Sequence, residues 1–138
     1  MLDRVTDGHD LDLFLMFSSA GAAFGNAGQA AYTAGNLFLE ALARARRARG
    51  LVGQAIAWGA LDEVGYVART EGAARTVTRA GPALLPLREV SRALDDLVGG
   101  PEVALVWSHD GQFLRRLHPH LATPRLGELT GGRSRRRR

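Results

Sequence analysis

Three short apolar runs, Leu11 to Phe17, Gln54 to Trp58 and Val103 to Trp107, alternate with longer stretches of helical periodicity. That alternation leaves few architectures open. The first run, Leu11, Leu13, Phe14, Leu15, Met16 and Phe17, is nearly continuous, as in a strand covered on both faces. It is far shorter than the ~20 apolar residues that cross a bilayer, and it contains Asp12. Ala20 to Gly28 is small and glycine-rich, which predicts a loop. Gln29 to Arg49 predicts a long helix with the apolar stripe Leu37, Phe38, Ala41, Leu42 and Ala45. Arg44, Arg46, Arg47 and Arg49 fill its last turns, where cations complement the helix dipole, and Gly50 suits the position just past its end. Gly72 to Ala80 and Leu87 to Val98 predict two more helices. The latter carries Val90, Leu94 and Leu97 on one face and stops at Gly99-Gly100. Gly111 to Leu117 predicts a final helical turn. Strand, helix, strand, helix, strand implies an α/β fold with a mostly parallel sheet.

A chain of 138 residues can form one domain with a real core. The absence of cysteine excludes disulfides and thiolate metal sites, and fits a cytoplasmic setting. The N-terminal MLDRVTDGHD lacks the arrangement of a signal peptide. The net charge of +4 is local: no lysine occurs, and five of the 18 arginines are Arg133 and Arg135 to Arg138. From Pro119 onward the chain is rich in Pro, Gly and Arg without a core pattern, so residues 119–138 are expected to be a disordered tail. A flexible arginine run attracts polyanions. Without interleaved aromatics or a folded frame it reads as a solvated terminus, and nucleic acid is not expected as a partner. His9, His109, His118 and His120 lack the grouping of a metal site.

Ser19 lies thirteen residues before Tyr32, and Asn36 four after it. Four residues is one helical turn, so Tyr32 and Asn36 share a helix face. A hydroxyl brought beside that face by the preceding strand would complete a polar cluster. Such a cluster can protonate a carbonyl oxygen while hydride arrives at its carbon. On spacing alone the plainer reading is stronger: a Ser-rich loop leading into a helix with a half-buried tyrosine.

The wider wording changes the balance. The strand end FSS, the following AG, the segment GNAGQAAYTAGN and the segment QAIAWGALDEVGYVAR resemble the ketoreductase domain of modular polyketide synthases, within the short-chain dehydrogenase/reductase superfamily. The resemblance runs from about Leu11 to His118 and is tightest over Phe17 to Leu42 and Ala57 to Arg69. It implies that residues 1–118 are the C-terminal part of a Rossmann-like, doubly wound sheet with flanking helices. It also implies catalytic roles for Ser19, Tyr32 and Asn36. The tyrosine would donate a proton to the substrate oxygen, and the serine would hydrogen-bond that same oxygen. Trp58 and Gly59 would pass their backbone beside the nicotinamide of NADPH, and Gly65 to Arg69 would begin a lid. The implied substrate is a β-ketoacyl thioester on an acyl carrier protein, reduced to a β-hydroxy thioester.

Two departures qualify this. Short-chain reductases place a lysine four residues after the tyrosine. The polyketide type has Asn there and takes its lysine from an upstream helix, yet this sequence contains no lysine at all. The glycine-rich phosphate loop of a dinucleotide-binding fold is also missing from the 138 residues. The isolated chain is therefore expected to be inactive, needing an N-terminal ketoreductase half or a synthase module as partner. The alternative is a non-catalytic remnant or interaction module. In either case the strand at Leu11 is expected to form an exposed sheet edge.

Overall fold

The computed structural model describes residues 2–25, 28–61 and 84–107. The helix predicted over 72–80, the turn over 111–117, the segment 65–69 and the tail from 119 lie outside them. The elements in order are α1 (Leu2–Val5), β1 (Leu15–Ser19), α2 (Ala20–Phe24), α3 (Ala30–Ala48), β2 (Gln54–Trp58), α4 (Leu87–Leu97) and β3 (Val103–Val106).

The chain divides into two compact units. The first comprises residues 1–58 and 93–106. It contains a parallel sheet of order β1-β2-β3, with Leu15 opposite Gln54, Ser19 opposite Trp58, Ala55 opposite Val103 and Trp58 opposite Val106. All five residues of β2 are buried. Being central and covered on both faces, this strand is a small and apolar run from Ala55 to Trp58 rather than an alternating one, and it opens on the buried amide of Gln54. Ile56 is 0% exposed, a burial that contributes about 1.5–3 kcal/mol.

In the second unit, residues 59–92 and 107–138, a parallel bridge joins Leu61 to Leu85, and Leu85 N donates to Ala60 O at 2.8 Å. Pro86 opens α4 by accepting from Glu89 N and Val90 N at its carbonyl.

Three expectations need correction. The first strand begins at Leu15, not Leu11, and runs on through Ser18 and Ser19. The ladder sets this start: Gln54, the first residue of β2, pairs with Leu15 and donates to Phe14 O at 2.9 Å. The expected loop at Ala20 folds into the short helix α2, because Ser19 Oγ accepts from Gly21 N and satisfies one of its free donors. The stripe expected on α3 faces outward. Leu37 and Phe38 are 46% and 65% exposed, whereas Asn36, Glu40, Ala43 and Arg46 are the buried residues. On that face Glu40 and Arg46 find partners on other elements, and Asn36 bonds back to Tyr32 O within α3.

Arg46 shows how. Its guanidinium stacks 3.9 Å over the Phe14 ring. Nε donates to Val52 O at 2.7 Å, and Nη1 donates to Asp3 Oδ1 at 2.6 Å and Thr6 Oγ1 at 3.3 Å. One buried side chain thus joins α1, the approach to β1 and the approach to β2. The Arg46 hydrogen bond, followed by that of Arg49, lowers the Asp3 carboxyl from its usual range. The end of α3 follows the anticipated pattern: Gly50 takes φ +76°, Leu51 N donates to Arg46 O and Gly50 N to Arg47 O. Next to it, a Cβ on Gly53 would lie 2.8 Å from Arg46 Cβ and 2.9 Å from the Ala43 carbonyl.

Gly53→Ala should therefore destabilise the fold by about 1–3 kcal/mol. Gly35→Ala, in open space within α3, should instead stabilise it by about 0.8–1 kcal/mol. Urea unfolding of the two variants checks for opposite signs. Asp3 supplies a pH test. Its folded pKa lies below the unfolded value of ~3.9, so its stabilisation is present above that pH and is lost as pH falls through the lowered value. Asp3→Asn should melt below the parent at neutral pH, with the gap closing in melting curves taken toward pH 3.

Candidate active site

In a parallel α/β sheet, ligands are bound at the carboxyl ends of the strands. Ser19 is the last residue of β1 and sits in register with Trp58, the last residue of β2. Tyr32 is the third residue of α3, which follows β1 through α2, so it belongs to the helix end reached from that same edge. Its side chain is 55% exposed. Asn36, one turn further on, is buried and donates from Nδ2 to Tyr32 O at 2.8 Å. Its amide is thereby committed to the backbone of the tyrosine's own turn. Among the described residues Ser19 and Tyr32 share no hydrogen bond; Ser19 Oγ accepts from Gly21 N at 3.2 Å.

Trp58 is 5% exposed and stacks on Phe17 with ring centroids 5.6 Å apart. Its Nε1 has no hydrogen-bond partner among the described residues, nor has Thr33 Oγ1. With the indole packed against the sheet, the backbone is what Trp58 offers at the strand end. Gly59 follows directly in the chain. A Cβ there would lie 2.7 Å from Trp107 Cδ1, so local packing already requires glycine at this position.

A second polar group escaped the sequence reading. Ser18 Oγ donates to Glu40 Oε1 at 2.8 Å, with Asn36 O at 3.4 Å, and both side chains are buried. Glu40 Oε2 lies 4.0 Å from Arg44 Nη2. The available signal was spacing: Tyr32, Asn36 and Glu40 recur every four residues, which brings them onto one side of the helix.

The match to known proteins rests on this same region. The family model described as KR domain covers residues 1–63. Polyketide synthase GfsB of Streptomyces halstedii is 55% identical over 64 residues, 46% of this chain and 1% of that protein. Squalestatin tetraketide synthase of Phoma sp. is 41% identical over 92 residues, 67% of this chain and 4% of that protein. The solved A-type ketoreductases from a modular polyketide synthase superpose with a TM-score of 0.78 at 33% identity, covering 85% of this chain and 25% of theirs. An A1-type ketoreductase gives 0.79 at 31% identity with the same coverage. Over residues 1–63 the chain matches the ketoreductase family model. It spans a few per cent of these synthases and about a quarter of the matched ketoreductase chains.

Ketoreductases of this superfamily use nicotinamide dinucleotides. A dinucleotide's phosphates require a glycine-rich turn that leads from a buried strand into a helix. Among the described residues β1 leads instead into the five-residue α2, capped by a serine hydroxyl. The residues present therefore do not fit a whole dinucleotide. No group of His, Cys, Asp and Glu among the described residues could hold a metal ion, and no described helix is long and apolar enough to cross a membrane.

Calorimetric titration of the chain with NADPH at micromolar protein should give no saturable heat. A submicromolar dissociation constant would show that the phosphates find another seat.

Proposed function

We propose that this chain carries the serine, tyrosine and asparagine part of the active site of an NADPH-dependent β-ketoacyl reductase belonging to a polyketide synthase. What supports this reading is that Ser19 and Trp58 end paired strands of the parallel sheet, and that Tyr32 lies in the first turn of α3, the helix that follows β1 through α2. Charge builds on a ketone oxygen as its carbon is reduced. Tyr32 donates a proton to that oxygen, and its exposure leaves it open to substrate. Ser19 Oγ can donate to the same oxygen while still accepting from Gly21 N, since a hydroxyl does both. Asn36 holds the turn that presents Tyr32. A complementary N-terminal half brings the reductant and a positive side chain in place of the missing lysine. By resemblance, the backbone of Trp58 would lie beside the nicotinamide and that of Gly59 would follow it in the chain, and the substrate would be a β-ketoacyl thioester on an acyl carrier protein.

A second reading, a non-catalytic remnant or interaction module, is favoured by the lack of a phosphate cradle and of lysine. Co-expression separates the two. Paired with the N-terminal half of a polyketide-synthase ketoreductase, the chain should reduce a β-ketoacyl thioester mimic. Tyr32→Phe should abolish that turnover, by roughly 10²–10⁴-fold for a lost general acid. A paired Tyr32→Phe protein working at the parent rate would refute the assigned role, and an inactive parent pair would favour the remnant.

A further inference from the structure

The sequence places two chemically identical serines side by side at the end of β1, and something must distinguish them. We infer that Glu40 does so, as a positioning residue that acts through Ser18. Ser18 is 6% exposed and Glu40 8%. The Ser18 hydroxyl has one proton, directed to the Glu40 carboxylate at 2.8 Å rather than to Asn36 O at 3.4 Å. Neighbouring side chains on a strand point to opposite sides. Seating Ser18 on α3 therefore fixes the direction in which Ser19 leaves the backbone. A slip of one residue would present the other hydroxyl at the site and bury Ser19 against the helix.

The bond also spans the two elements that the proposed chemistry depends on. It ties the end of β1 to α3 two turns beyond Tyr32, with the Asn36 amide bond to Tyr32 O between them. Ser18, the Tyr32 turn and the Glu40 carboxylate thus sit on a common frame. Arg44, at 4.0 Å, is the charged group beside the carboxylate on its exposed side. This assignment rests on the proposed reductase reading for its catalytic consequence, though not for its geometry.

The test uses the full chain, alone and paired. The Gly21 amide donates to Ser19 Oγ at 3.2 Å and reports where that serine stands. In Glu40→Ala its exchange with solvent should quicken by roughly tenfold, whereas Glu40→Gln, which keeps an acceptor for Ser18, should leave it near the parent rate. In the paired enzyme Glu40→Ala should lower kcat roughly tenfold to a hundredfold with KM nearly unchanged, the mark of a misplaced reacting group. Glu40→Gln should restore most of that loss. Ser18→Ala removes the same bond with little change in volume, so it should reproduce both effects even where Glu40→Ala does not fold. Parent-like Gly21 exchange in a folded Glu40→Ala or Ser18→Ala chain would overturn the inference. A changed Gly21 amide in a pair whose parent shows no turnover would uphold the positioning role and sink the reductase reading instead.

Discussion

A helix that turns a polar face onto a sheet needs partners for the groups it buries, and on α3 the side chains of Asn36, Glu40 and Arg46 have them. Asn36 reaches the Tyr32 carbonyl, Glu40 takes the Ser18 hydroxyl, and Arg46 is shared among Asp3, Thr6, Val52 and the face of Phe14. An unpaired buried polar group costs about 1–3 kcal/mol, so the contacts of Glu40 and Arg46 with other elements set the rotation of α3 about its axis. Once that rotation is set, the position of Tyr32 and the outward exposure of Leu37 and Phe38 follow.

This explains why the apolar stripe misled. Hydrophobic periodicity identifies a buried face correctly when the surroundings are apolar. Here the surroundings are a serine hydroxyl, a backbone carbonyl and a carboxylate arriving from residues 18, 52 and 3. Such partners are remote in sequence, and a helical wheel carries no record of them. The arginines near the helix end read as a dipole-compensating cluster. Arg46, at 1% exposure, is among the most buried side chains of the fold.

Other features were legible because local chemistry decides them. The bounds of β2 match the apolar run Gln54 to Trp58, and α3 ends in the turn that Gly50 predicts. The parallel sheet follows from the alternation of elements, and the ketoreductase match over residues 1–63 covers Phe17 to Leu42 and the first part of the second segment that suggested it. For the candidate site, the positions of Ser19, Tyr32 and Asn36 on strand end and helix turn could be read from spacing. The buried Ser18 and Glu40 pair could not, because nothing in a Ser-Ser dipeptide says which hydroxyl faces the helix.

The turn into β3 shows how far an apparently local structure can depend on distant chain. Gln54 is buried at the start of β2, where its Nε2 donates to Leu97 O at 2.6 Å and Pro101 O at 3.1 Å and its Oε1 accepts from Gly99 N at 3.3 Å. One amide thereby serves both sides of the turn, as donor and as acceptor. A carboxylate in its place could only accept, and a hydrocarbon could do neither. Residues 97–101 are neighbours in the chain, yet their hydrogen bonds are completed by a residue more than forty positions earlier. The turn is thus held by the same strand that pairs with β3, so a change at Gln54 reaches the turn and the ladder at once.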